Sequence, residues 1–77
     1  MLSPFYLMER IRVRSSNISS IGYEASTSTL EVEFHSGSIY QYSRVPERVH
    51  EGLMDARSHG AYFNDHVRDN YATRQVR

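Results

Sequence analysis

Between Leu30 and Val45 the chain reads LEVEFHSGSIYQYSRV, and no other stretch narrows the possible folds as much. Leu30, Val32 and Phe34 alternate with Glu31 and Glu33, the period of two imposed by a strand with one buried face. His35, Ser36 and Gly37 then supply a three-residue hairpin loop, because Gly37 can take the left-handed conformation that its last position needs. Ile39 to Ser43 returns as the partner strand and carries Tyr40 and Tyr42.

Hairpin register decides where Tyr40 and Tyr42 go, since a slip of one residue exchanges the two faces of a strand. A three-residue loop sets them opposite Val32 and Leu30, in the core. A two- or four-residue loop sets them on the Glu31 and Glu33 face, where they form an exposed stacking platform of the kind single-stranded nucleic-acid binders use. The position of Gly37 favours the buried register, and the two carboxylates count against phosphate binding on their own face.

The chain has 77 residues, enough for one domain. A domain of this size buries only about 60% of the surface its unfolded form exposes, so its stability is marginal or helped by a partner. There is no cysteine, which removes disulfides and thiolate metal sites and suits a reducing compartment. No apolar run reaches membrane-spanning length, and the N-terminus lacks the pattern of a secretory leader. A soluble, cytoplasmic protein with no membrane partner is the expectation.

Nine basic and nine acidic side chains cancel, so no net field draws the protein to nucleic acid or anionic lipid. Their distribution is uneven. Arg10, Arg12 and Arg14 sit near the start, Glu24, Glu31 and Glu33 in the middle, and Arg68, Arg74 and Arg77 near the end. Every basic residue is arginine, the side chain suited to phosphate forks and base stacking, although an arginine-rich genome gives the same count.

Taken in order, residues 1–12 form an N-terminal arm whose Phe5, Tyr6, Leu7 and Met8 make an apolar patch without a period. Docking on the core and disorder are both open for it. Residues 13–72 form the domain and residues 73–77 a frayed tail. Ser15, Ser16 and Asn17 favour a bend or bulge before a first strand, Ile18 to Glu24. Thr29 to Phe34 and Ile39 to Ser43 complete a three-stranded antiparallel meander. Pro46 fits the first turn of a helix in which Val49, Leu53, Met54 and Ala56 make an apolar stripe, with Arg48, Glu51 and Asp55 outward and Gly52 packed close against the sheet. Ser58, His59 and Gly60 break that helix, and a second runs from Ala61 to about Ala72 with Phe63, Val67 and Tyr71 aligned. The fold class is α+β, order β-β-β-α-α, with two C-terminal helices covering one face of the sheet.

Arg44, Arg48, Arg57, Arg68 and Arg74 can gather at strand and helix ends into a phosphate-binding patch, or can pair locally, as Arg44 or Arg48 with Glu47 or Glu51. His35, His50, His59 and His66 have no metal-ligand spacing and read as solvated or capping residues. Glu31 and Glu33 are explained by strand alternation, and Ser58, His59 and Asp55 are too close in sequence to form a triad. With no glycine-rich phosphate loop, neither a cofactor nor an enzyme is expected.

SSNISSIGYE, LEVEFHSGSIYQYSRVP, VHEGLMDARSHGAYFN and VRDNY, in this order and spacing, resemble the KTSC domain, named for its occurrence at the C-terminus of some lysyl-tRNA synthetases. The resemblance runs from about Val13 to Tyr71, and the family's Y-x-Y motif corresponds to Tyr40 and Tyr42. It implies a small non-enzymatic binding module, with RNA or tRNA as the partner and no catalytic residues. The expected contacts are Tyr40, Tyr42, Arg44, Arg48, Arg57 and Arg68. The alternative is a protein-interaction or self-association module, for which the apolar leader outside the resemblance is the argument.

Overall fold

In the computed structural model of the chain, which describes residues 8–77, the alternation of residues 29–34 makes the middle strand of a sheet. Strands β1 (Ile11–Arg12), β2 (Ile18–Glu24), β3 (Thr29–Phe34) and β4 (Ile39–Tyr42) are followed by helices α1 (Glu47–Asp55) and α2 (His59–His66) and by strand β5 (Thr73–Gln75). The sheet order is β1-β2-β3-β4-β5, with every neighbouring pair antiparallel. The α+β class and the central meander are as expected from the sequence, but the sheet has five strands rather than three. Both additions are short edge strands without an alternating pattern long enough to read. The stretch expected to fray is β5: Gln41 pairs with Arg74, and the Val76 amide donates to the Ile39 carbonyl at 2.7 Å.

The hairpin between β3 and β4 has the three-residue loop. The Phe34 amide donates to Ser38 O and the Gly37 amide to Phe34 O, each at 2.9 Å, while Gly37 sits at φ +96°. Val32 therefore faces Tyr40 and Leu30 faces Tyr42, the buried register. Ile18, Ile21, Leu30, Val32 and Tyr42 on this sheet face pack with Val45, Val49, Leu53, Phe63 and Val67 into one core. The chain bends at Ser16 and Asn17, where Ser15 Oγ accepts from the Asn17 and Ile18 amides at 3.2 Å, and the register of β2 shifts between Ile18 and Ser20.

Helix α1 opens on Pro46, which takes the extended cap position rather than the first turn. Helix α2 begins and ends earlier than the sequence pattern indicated. Ser58 caps it, its Oγ accepting from the Ala61 amide at 3.1 Å, so Gly60 lies inside the helix instead of breaking it. At the other end the amides of Val67 and Arg68 both donate to Phe63 O at 2.9 Å, closing the helix before Tyr71. Gly52 makes a close approach, but to the Tyr62 ring of α2 and not to the sheet.

The second sheet face is polar and ordered. Glu31, expected to face water, is fully buried: Arg10 pairs with one carboxylate oxygen and Gln41 Nε2 donates to the other at 2.8 Å. Ser20 Oγ accepts from Arg10 Nε at 2.8 Å and donates to Glu33 at 2.7 Å, and Arg77 lies 3.5 Å from the same Glu33 carboxylate. Of the apolar leader, Met8 is buried, and its side chain and the Glu9 and Arg10 atoms lie over Gly22; Phe5, Tyr6 and Leu7 lie outside the described residues.

Candidate functional site

Beside α2 the sheet and helix leave an open groove of about 680 Å³, within the roughly 300–1,000 Å³ range of small-ligand sites. The hairpin register brings Tyr40 and Tyr42 to it from β4 and Phe34 from β3, and the spacing of α2 brings Phe63 and Asn64. The turn after α2 adds Arg68 and Asp69, and His35 closes the hairpin end.

Four rings line it in an edge-to-face chain. Tyr40 meets Phe34 at 5.8 Å between centroids, Phe34 meets Phe63 at 5.4 Å, and Phe63 meets Tyr42 at 5.5 Å. Such contacts set the ring edges of one residue on the electron-rich face of the next and hold the wall rigid. Tyr42 is 5% exposed and forms the floor; burial pushes its phenol up, so it stays a neutral hydrogen-bonding group. Tyr40 is only half-buried, and its hydroxyl donates to Gln75 Oε1 at 3.3 Å. Arg68 and Asp69 are exposed, and neither belongs to an ion pair among the described residues. His35 is fixed by a 2.7 Å bond between its Nε2 and Ser15 O.

Of the residues singled out from sequence, Tyr40, Tyr42 and Arg68 meet at this groove, although Tyr42 is core and not an exposed platform. Arg44, Arg48 and Arg57 do not line it. Arg44 borders a separate depression with Ser43, Asn70, Tyr71 and Ala72, and holds the left-handed conformation at φ 59°. Arg48 is exposed on α1, Arg57 is exposed between the helices, and Arg74 reaches back to Gln41 Oε1 at 3.2 Å. The local pairs expected for Arg44 and Arg48 do not form among the described residues, where the ion pairs join Arg10 to Glu31 and Glu33 and Arg77 to Glu33. Phe34, Phe63, Asn64 and Asp69 were not marked by sequence. The first two carry an apolar signal indistinguishable from core, and the last two look like solvated helix positions.

The histidine and serine candidates have structural roles. His59 Nδ1 lies 2.7 Å from Leu53 O and ties off the end of α1, while Ser58 is the cap of α2. His50 stacks on Tyr23, centroids 4.7 Å apart and planes within 8°. Among the described residues no group of three or more histidine, cysteine, aspartate or glutamate side chains is placed to hold a metal, and no helix is long and apolar enough to cross a membrane.

A five-stranded meander with two helices on one face and an aromatic groove at their margin defines a small α+β domain. Residues 14–71 match the KTSC domain, and the chain belongs to that family. It is 44% identical over 57 residues to an uncharacterized protein from Stutzerimonas stutzeri, an alignment covering 74% of this chain and 80% of that one. It is also 38% identical over 66 residues to a lysine–tRNA ligase from Nostoc punctiforme, covering 86% of this chain but only 12% of the ligase. The crystal structure of the KTSC domain protein YPO2434 from Yersinia pestis superposes with a TM-score of 0.85 at 39% identity, over 87% of this chain and 94% of that one.

Proposed function

We propose that this domain is a non-enzymatic RNA-binding module, with tRNA the foremost partner, and that its groove takes an unpaired nucleotide. The observation that carries the reading is the meeting of Phe34, Tyr40 and Phe63 with Arg68 around one open groove. A base laid against the half-buried Tyr40 and its Phe34 neighbour gains about 1–3 kcal/mol from stacking, whatever its identity. Arg68 lines the same groove and is assigned the attached phosphate, which a guanidinium can hold through two donors. The similarity to part of a lysine–tRNA ligase supports tRNA over other RNAs. An arginine that takes a phosphate releases counterions, so binding is expected to weaken as salt rises.

The test is a fluorescence-anisotropy titration of the protein into labelled single-stranded RNA and mixed tRNA, at low and moderate salt. Tyr40→Ala and Arg68→Glu are each expected to weaken binding by about tenfold. Absence of binding at low salt, or binding that ignores both substitutions, overturns the proposal.

A second reading, self-association through the outer edge of β1, has one observation behind it: Ile11 on that edge strand is 64% exposed. A single exposed isoleucine is common on monomers, and light scattering decides the matter. A monomer at working concentration removes this reading.

A further inference from the structure

Asp69 is out of place in a groove that only receives phosphate. A carboxylate beside Arg68 repels an incoming phosphate and weakens the field of the arginine, so its presence calls for a donor group on the ligand. The groove wall around it is built, not incidental. Arg68 and Asp69 both lie in the turn that follows α2, which two bonds to Phe63 O and one from the Asn70 amide to Val67 O, at 3.1 Å, hold in shape. Both line the groove whose floor is Tyr42. Neither side chain is engaged by another charged group among the described residues. The groove therefore presents, at one end, an anion receptor and a hydroxyl receptor side by side.

Resting on the RNA-binding reading, we infer that Asp69 accepts a hydrogen bond from the ribose 2′-hydroxyl of the bound nucleotide and makes the groove selective for RNA over DNA. The 2′-hydroxyl is the one donor that every ribonucleotide carries next to its phosphate and every deoxyribonucleotide lacks, and it is how proteins tell the two apart at a given site. Arg68, Asp69 and Tyr40 all line the one groove, so the assignment is phosphate at Arg68, sugar at Asp69 and base on Tyr40. For DNA the same carboxylate contributes only repulsion and desolvation, so selectivity arises from both a gained contact and an uncompensated one.

The experiment compares one short single-stranded sequence made as RNA, as DNA and as 2′-O-methyl RNA, titrated against the wild-type protein and Asp69→Ala. Asp69 is exposed in a turn, so the substitution leaves the core untouched. The wild type is expected to bind RNA about tenfold tighter than either analogue, and Asp69→Ala to lose that preference by weakening RNA binding while leaving or improving DNA binding. Equal binding of RNA and DNA by the wild type overturns the inference while leaving the RNA-binding reading standing. Retained preference in Asp69→Ala does the same. A loss on Asp69→Ala that is equal for RNA and DNA and depends on guanine in the sequence also overturns it, by assigning the carboxylate to a base edge. Failure of the wild type to bind any of the three overturns the RNA-binding reading itself.

Discussion

Arg10 and Glu31 form an ion pair across the sheet face that carries no helix, with the Glu31 carboxylate fully shielded from water and Arg10 only 16% exposed. The pair spans two strand boundaries, from the residue before β1 to the middle of β3, and it anchors a chain of polar contacts through Ser20, Gln41 and Glu33. This layer takes the place of a second hydrophobic core in a domain too small to build one. A buried charge held by a guanidinium and an amide is satisfied; the same charge alone is not.

Removing one partner therefore costs more than the pair contributes. Arg10→Ala is expected to lower stability by about 3–5 kcal/mol, because the buried Glu31 carboxylate keeps only its Gln41 contact. Glu31→Gln keeps the shape and a hydrogen-bonding group, leaves Arg10 beside Glu33 at 3.8 Å, and is expected to cost about 1–2 kcal/mol. Urea denaturation of both variants checks the ranking.

Two glycines predict opposite signs for one substitution. A methyl group on Gly22 would lie 2.5 Å from the Glu9 carbonyl, so Gly22→Ala must push residues 8–10 off β2 and strain the Arg10 contacts. The expected loss is about 1–3 kcal/mol. A methyl on Gly60 meets nothing nearer than Asn17 Nδ2 at 3.5 Å and sits inside α2, so Gly60→Ala is expected to gain up to about 1 kcal/mol. Thermal melting of the two variants decides it.

Truncation after Ala72 tests the strand that was not legible. β5 pairs Tyr40 with Gln75 and Tyr42 with Thr73, and the Ile39 amide donates to Arg77 O at 2.7 Å. Deleting residues 73–77 leaves β4 as an unpaired edge and is expected to lower the melting temperature by about 8 °C or more, as a loss of about 2 kcal/mol does in a domain of this size. A truncated protein that melts like the full chain would show that the terminal pairing contributes nothing.

The contrast between β3 and β5 shows what the sequence could reveal. Leu30 to Phe34 announce a strand because one face meets a core and the other meets polar neighbours, a difference written in the residues themselves. Thr73 to Gln75 announce nothing, since all three are exposed and the chain end is held on β4 largely by backbone bonds between Ile39 and residues 76 and 77, which leave no pattern in the side chains. The alternation also hid the environment of Glu31, because burial by a partner as far away in sequence as Arg10 leaves no local mark. At the groove, Gly37 was enough to set the register that delivers Tyr40. Phe34 and Phe63 could not be told from core, because a groove wall and a core differ only in what lies on the far side of the ring.

Acid is expected to lower stability in two stages. His50 is held below the ordinary histidine value of 6.5, first by burial against Tyr23, with Glu47 and Glu51 acting the other way. A depressed folded value means that its contribution is complete above 6.5 and is lost as pH falls through the folded value. Glu33 is held below 4.5 chiefly by the Ser20 hydroxyl and then, against burial, by Arg10 and Arg77, so its contribution is lost only further into acid. His50→Phe, which keeps a ring on Tyr23, is expected to remove the first stage and leave the second, seen as a smaller fall in stability between neutral pH and the carboxylate range than the wild type shows.

Arg44 separates conformation from binding. A non-glycine residue at φ 59° carries a steric cost of about 1 kcal/mol, and glycine relieves it. Arg44 is exposed and outside the groove, so Arg44→Gly is expected to raise stability by about 0.5–1 kcal/mol and leave RNA affinity unchanged. The measurements are a denaturation curve and the anisotropy titration on the same sample. Should stability rise while affinity falls severalfold, the strained arginine is held in place for the ligand. The RNA path would then extend from the groove past Tyr71 to the end of β4, where Arg44 borders the second depression. Should neither change, the positive φ is a consequence of the tight turn that lets the Val45 amide reach Ser28 O at 2.8 Å, and binding stays with Tyr40 and Arg68.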